Sequence, residues 1–322
     1  MKTEMKAFLA LSVVCVLWGT TYLMIKIGVE TIPPYFFCAI RQLSAGLVLW
    51  LIVPFLRKKF NLSLSDVIKQ VIPGILMIVM GNAVIAWAEK YIPSGLAALI
   101  VSAMPLYVTL LNFLIGKEKS INTQILLGLL LGCFGIVLIF KDNLADLTNT
   151  NYLTGIIASF VASFCWAAGT VYMKVNTFRT DSFINSAIQF TSSGIVLFIF
   201  SFFVEDYGNL NMVSSGSIWA LVYLVFFGSI LPYMCYLYAI KNMKVELVSV
   251  YAYINPFIAI LLGTFILDEK LTWITAFAFL ATVGGVYCIN RGHAKSGKGA
   301  EKEKHTPATA PQIAKPVIDK RF

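Results

Sequence analysis

The chain has 322 residues, of which 58% are hydrophobic and only 13% charged, with a formal net charge of +9 and a mean hydropathy of +0.80. A water-soluble fold cannot cover that much apolar surface, which excludes a soluble domain. The positive charge does not point to nucleic acid, because the basic residues are not gathered on an independent soluble domain.

A bilayer core of about 30 Å takes about 20 apolar residues per helix. Runs of that kind predict helices near 7–28, 35–56, 68–89, 93–115, 122–140, 152–174, 183–204, 216–240, 245–267 and 272–290. The expected fold is all-α, a polytopic membrane protein of ten transmembrane helices. The first run, Phe8 to Ile27, is too long for a signal-peptide core and lacks a small-residue cleavage site before the next run, so it is read as a retained helix.

On the first helix, Trp18, Tyr22 and Lys26 share one face. Trp18 lies well inside its span, which favours a ring that walls a solute cavity over one that sits in an interfacial belt. In the second run Arg41 is the clearest ionisable group within a span; it either attracts an anionic or zwitterionic solute or snorkels to the nearby outer interface. Asn82, in the third run, is a further candidate contact. The fourth run has Pro105 near its middle, with Ser102, Thr109 and Asn112 forming one polar stripe. A mid-helix proline removes a backbone hydrogen bond and frees carbonyls that can face substrate or water; a kink needed only for packing is the competing reading. Gly128-xxx-Gly132 and Gly135 in the fifth run, and Ala281-xxx-Gly285 in the tenth, allow close helix approach, with packing inside a monomer favoured over a homodimer.

In the second half Trp166, Thr170 and Lys174 repeat the pattern of the first helix, and Pro256 is accompanied by Ser249, Tyr251, Tyr253 and Asn255. Glu118 and Glu269, each followed by Lys, are read as helix-junction pairs, with Ser120 and Thr272 available to cap the next helices. No Asp or Glu is placed mid-span, which argues against a carboxylate-centred antiporter of cationic drugs and leaves proton coupling open. The six cysteines fall singly inside apolar runs and are read as packing residues, with no disulfide, metal or cofactor implied. Gly292 to Gly299 only approximates a phosphate-binding loop, since Gly299 replaces the required Ser or Thr and no strand precedes it. Residues 291–322 are expected to form a disordered basic cytoplasmic tail.

Charge orients the spans. Lys2, Lys6, Arg57, Lys58, Lys59, Lys69, Lys117, Lys119, Lys174, Arg179, Lys241 and Lys244 fall on one side, while the other carries only Lys90, Lys141 and Lys270 among basic residues, with Glu30, Asp142, Asp146, Glu205, Asp206, Asp268 and Glu269. The positive-inside rule then puts both termini in the cytoplasm and the protein in the plasma (inner) membrane.

The chain also repeats itself. Trp18 and Lys26 recur as Trp166 and Lys174, Ser44 and Gly46 as Ser192 and Gly194, and Pro105 and Glu118-Lys119 as Pro256 and Glu269-Lys270. Residues 5–141 and 150–290 are therefore read as two five-helix repeats. An odd number of spans inverts the second copy, and the loop charges agree: Arg57-Lys58-Lys59 corresponds to Glu205-Asp206.

With Trp18-Gly19-Thr20, the two proline helices and the Glu118 and Glu269 ends in this order, the chain resembles the EamA-type ten-helix transporters of the drug/metabolite transporter superfamily over residues 5–290. The resemblance implies a carrier of small metabolites with a cavity lined mainly by helices 1, 3, 4, 6, 8 and 9, and helices 5 and 10 at the periphery. The functional reading is a secondary transporter, with export favoured by the resemblance, of metabolites such as amino acids. It works by alternating access around a midplane cavity, with a small-molecule substrate and the lipid bilayer as partners. Candidate substrate contacts are Trp18, Tyr22, Arg41, Asn82, Ser102, Pro105, Asn112, Trp166, Tyr253, Asn255 and Pro256. The rival is a membrane enzyme acting on lipid, but the only histidines, His293 and His305, lie in the tail and no nucleophile-base-acid set is visible. If the repeats are inverted, a cysteine replacing Lys58 labels with an impermeant thiol reagent only from the cytoplasm and one replacing Tyr207 only from outside; labelling of both from one side refutes the inversion.

Overall fold

The structure is a computed structural model and describes residues 3–56, 62–115, 122–142, 148–176, 179–208, 210–243 and 251–305. Helix α1 covers Thr3–Gly28 and α2 covers Pro34–Ile52, where Pro34 occupies the first helical turn and its missing N–H costs nothing. The third helix, α3, starts from a capping box in which Ser63 and Asp66 exchange side-chain-to-backbone bonds. It runs through Leu64–Pro73, a π-helical segment Gly74–Ala83, and Val84–Ala88.

Helix α4 is broken into Ser94–Val101 and Met104–Leu114. Pro105 therefore falls in the first turn of a new segment, where proline is tolerated, and not in the interior of one continuous helix. The chain turns at Ser102 and Ala103, with Ala103 N donating to Ile100 O at 3.1 Å and Leu106 N to Ala103 O at 2.9 Å.

After α5 (Thr123–Asp142), α6 (Thr150–Val175) is capped by Asn149, and α7 (Ser182–Val204) by Asp181. Helix α8 repeats the form of α3: Ser215–Tyr223, a π-helical Leu224–Ile230, and Leu231–Asn242. Helix α9 (Tyr251–Leu267) contains Pro256 inside it, and Thr272 accepts from Thr275 N at 3.0 Å to start α10 (Trp273–His305). Helix α10 runs past the end of the tenth expected span at 290 and continues to His305. Ala300 and the Glu-Lys alternation of 301–304 have high helix propensity and extend a helix already nucleated.

Among the described residues, eight helices are long and apolar enough to cross a bilayer, and Thr123–Gly135 and Ile254–Leu267 are shorter apolar helices in the places of the fifth and ninth expected spans. This is a multi-pass membrane protein. Phe55, Trp219, Phe203 and Phe265 are among its most exposed side chains, a surface that lipid solvates and water would not. The buried core joins α1, α2, α3, α7 and α8 around Phe37, Ile78, Ala187, Leu197 and Leu224. A second cluster ties α3, α4 and α6 through Ile85, Leu99 and Ile156.

Helices α5 and α10 pack on each other through the glycines. A Cβ at Gly128 would stand 2.5 Å from Gly285 O, and one at Gly285 2.7 Å from Gly128 O, so the two backbones touch where a side chain is missing. Gly284, one residue away, has nothing within 4 Å. Gly285→Ala is thus expected to destabilise the pair by about 1–3 kcal/mol through overpacking, whereas Gly284→Ala leaves stability unchanged or raises it. Melting temperatures in detergent distinguish the two; equal melting would refute the close approach.

Candidate translocation site

Arg41 is buried on α2, 4% exposed. Its Nε donates to Ser229 Oγ at 3.0 Å, Nη1 to Asn82 Oδ1 at 3.3 Å and Nη2 to Gly228 O at 3.3 Å. Asn82 belongs to the π segment of α3, and Gly228 and Ser229 to that of α8, so one guanidinium clasps both irregular segments. Segments of this kind recur at functional sites. All three acceptors are uncharged, which leaves a cation in a low-dielectric interior with its charge unneutralised by them and open to an anionic group. In the register of the repeat, Gln189 stands where Arg41 does. Gln189 bonds Gln70 at 2.7 Å, so the two halves are chemically different at this point.

A group of aromatic rings lies between α1, α8 and α9. Trp18 is 5.3 Å from Tyr236 and 5.2 Å, edge-on, from Tyr251; Tyr236 and Tyr251 are 5.8 Å apart, also edge-on. Tyr233, one helical turn from Tyr236 and 6.5 Å from its ring, extends the group towards Phe190. With its amide nitrogen facing the two carbonyls, Asn255 donates to Cys15 O and Tyr251 O at 3.0 Å each, pinning α9 to α1 beside the rings.

The face bearing Glu30, Glu89, Glu205 and Glu269 is closed by a different chemistry. Helices α2 and the first half of α4 begin after Pro33 and Pro93, residues that offer no side-chain acceptor for the free N–H groups of the first turn. Carboxylates from the second half of the chain supply it. Glu205 accepts from Tyr35 N and Phe36 N at 2.8 Å each, and Glu269 from Ser94 N at 2.6 Å and Gly95 N at 3.1 Å. Charge-assisted bonds at the positive end of a helix dipole are the strong kind. Lys26 adds a third tie, its Nζ donating to Glu89 O and, at 2.9 Å, to Ile92 O. Thr31 and Ser217 make a fourth at 2.7 Å. A cavity of about 370 Å³ lined by Lys26, Glu30, Glu89, Lys90 and Glu269 lies on this face. Beside it is one of about 690 Å³ that reaches Tyr35, Trp87, Tyr91 and Glu205.

The structure divides the sequence candidates into separate neighbourhoods. Arg41 and Asn82 meet directly. Trp18 and Asn255 belong to the contact of α1 with α9, Pro256 lies inside α9, and Tyr22 packs with the α3–α4 cluster that includes Ile85 and Leu96. Ser102 is buried and bonds Leu99 O at 2.7 Å, and the buried Asn112 has an Oδ1 without a hydrogen-bond partner. Trp166 packs on the π segment of α3, where a Cβ at Gly81 would stand 2.9 Å from its ring. The side chains of Pro105 and Tyr253, and all of Glu118, lie outside the described residues. Glu269, read as a junction pair, is instead the cap of another helix. Sequence reasoning passed over Tyr236 and Glu205 as site residues. The three-residue spacing of Tyr233 and Tyr236, and the uncapped Ile-Pro starts at 32–33 and 92–93, were the available signals.

A model of the EamA-like transporter family matches residues 5–141 and again 153–291. The chain is 33% identical over 287 residues to the inner membrane transporter YedA of Escherichia coli (strain K12), covering 88% of this chain and 90% of that protein. It is 23% identical to the transporter YoaV of Bacillus subtilis (strain 168), covering 83% and 90%. A solved crystal structure with 20% identity superposes with a TM-score of 0.61 over 88% of this chain and 96% of the other, a likeness of fold.

Removing either carboxylate cap orphans two N–H groups at a helix start. Glu205→Ala and Glu269→Ala are each expected to cost about 1–3 kcal/mol, read as a lower melting temperature. Because they cap different helices, the double variant is expected to add the two losses within about 0.5 kcal/mol. Unchanged melting in both single variants would remove the caps from the account.

Proposed function

Because the chain belongs to the EamA-like transporter family, we propose that it is a secondary transporter that exports small organic metabolites such as amino acids by alternating access. The reading has the chain in the plasma membrane as a monomer, both termini cytoplasmic, with two inverted five-helix repeats that rock about a site between them. The observation that carries it is the acidic face. There, carboxylates of one half cap helices of the other through contacts that can break as a set without unfolding any helix.

The substrate class follows from two neighbourhoods. Arg41, a buried fork of donors with only neutral partners, suits a carboxylate. The Trp18, Tyr236 and Tyr251 rings suit the apolar part or the ammonium group of the same solute. A zwitterionic or anionic metabolite meets both demands. Loss of an indole or phenol ring weakens packing, and loss of the guanidinium removes charge-assisted bonds.

Purified protein in proteoliposomes, supplied with a panel of labelled metabolites, is expected to move amino-acid-like solutes and not simple cations. Arg41→Lys is expected to raise the apparent KM about tenfold or more, and Trp18→Ala or Tyr251→Ala by several-fold, with membrane expression largely kept. Flux of no organic solute would refute the reading. A chain that modified lipid would instead change the vesicle lipids without solute flux.

A further inference from the structure

Glu89 is the first residue past the α3 span Leu64–Ala88 and is fully buried, 0% exposed. Neither carboxyl oxygen has a hydrogen-bond partner, yet the residue lines the 370 Å³ cavity of the acidic face. Lys26, the obvious counter-ion, spends its Nζ on the main-chain oxygens of Glu89 and Ile92 and not on the carboxyl. An ionised carboxylate without bonds is the most costly group a protein can bury, while the neutral acid is far cheaper.

We infer that Glu89 is a proton-binding site of the closure, neutral while the acidic face is shut and ionised when that face opens to water. Closing takes one proton from the adjoining aqueous phase onto a carboxyl oxygen, and opening returns it. The inference rests on the alternating-access reading, and it gives that cycle a coupling ion.

The surroundings fit. From α1, Tyr22 and Lys26 face Glu89, with Glu30 on the cavity wall just beyond the helix; from α2 come Cys38 and Arg41. Glu269 faces it from the segment after α9, Lys90 lines the cavity beside it, and Tyr152 of α6 packs against the cluster that holds Ala88 and Ile92. Burial holds the Glu89 carboxyl well above the usual carboxylate range, with the Glu269 carboxylate pushing the same way and Lys26 and Arg41 opposing. The sign follows. A group whose pKa is raised in the closed state favours closure fully below its open-state value, about 4.3 for Glu. That advantage is lost as pH rises towards the closed-state value.

Two measurements on the purified full chain test this. Infrared difference spectra at neutral pH are expected to show the C=O stretch of a neutral carboxylic acid that Glu89→Gln removes; a spectrum in which Glu89→Gln removes no such band overturns the inference. In a background without the six native cysteines, Ser94→Cys places a thiol beneath the Glu269 cap at a fully buried position. Its reaction with an impermeant thiol reagent, divided by that of Gly208→Cys on the exposed surface of the same face, is expected to rise by up to about tenfold per pH unit. Adding Glu89→Gln is expected to flatten the profile. A pH dependence that survives Glu89→Gln assigns the proton elsewhere and overturns the site. If Ser94→Cys reacts at no pH, alternating access itself fails and the coupling falls with it, while the infrared band still reports the carboxyl.

Discussion

A peptide N–H that faces hydrocarbon has no water to turn to, so a helix that starts near the membrane must find its acceptors inside the protein. Two helices here start behind prolines that offer none, at Pro33 and Pro93. The carboxylates of Glu205 and Glu269 meet that need from the far half of the chain. Much of the remaining arrangement follows. Lys26 ties the segment between α3 and α4 to α1, and the carboxyl of Glu89 is sealed in without a hydrogen-bond partner. A backbone requirement thereby becomes a latch between halves. It holds by a handful of directional bonds, whereas the paired helices α5 and α10 hold by extended backbone contact and are suited to stay together.

The interior of the bundle shows the complementary choice. At Arg41 a full charge is surrounded by dipoles, which orient it without neutralising it. Neutral partners keep a guanidinium in place at less cost in attraction for an incoming anion than a carboxylate would impose, since a carboxylate would already occupy the fork. The aromatic group on α1, α8 and α9 contributes shape and polarisable surface through edge-on packing of Trp18 with Tyr251 and of Tyr236 with Tyr251.

Much of the fold was legible from hydropathy because membrane spans are a length-scale signal: about 20 apolar residues in a row read the same whatever they pack against. The glycine pairs of α5 and α10 were legible for a similar reason, since small residues at a four-residue period mean close approach in any partner. What escaped was long-range or conformational. Glu269 looks like a junction residue beside Lys270, and nothing local says that it meets Ser94. Glu89 looks like an ordinary helix end, because burial depends on which neighbours close over it. Pro105 was correctly a break in helical regularity, but its position within the turn depends on where the chain chooses to restart. The π segments carry no residue code beyond their glycines, Gly74 and Gly81 in one and Gly228 in the other, and Arg41 was read with snorkelling as an equal option because its three acceptors come from two other helices.

Those π segments have a mechanical meaning. A helix of uniform pitch locks the phase of its two ends together, each residue advancing the azimuth by about 100°. A wider turn in the middle carries surplus residues and resets that phase. The end of α3 that bears Trp87 and leads directly into Glu89 is thus clocked independently of the end that starts at Leu64, and the same holds for α8 across Leu224–Ile230. Shortening Gly74–Ala83 by a single residue would leave the span apolar and helical yet swing Glu89 about 100° around the axis, out of its cavity and towards lipid or a neighbouring helix. The irregular turns act as the gearing of the bundle, and in these two helices length is as tightly specified as composition.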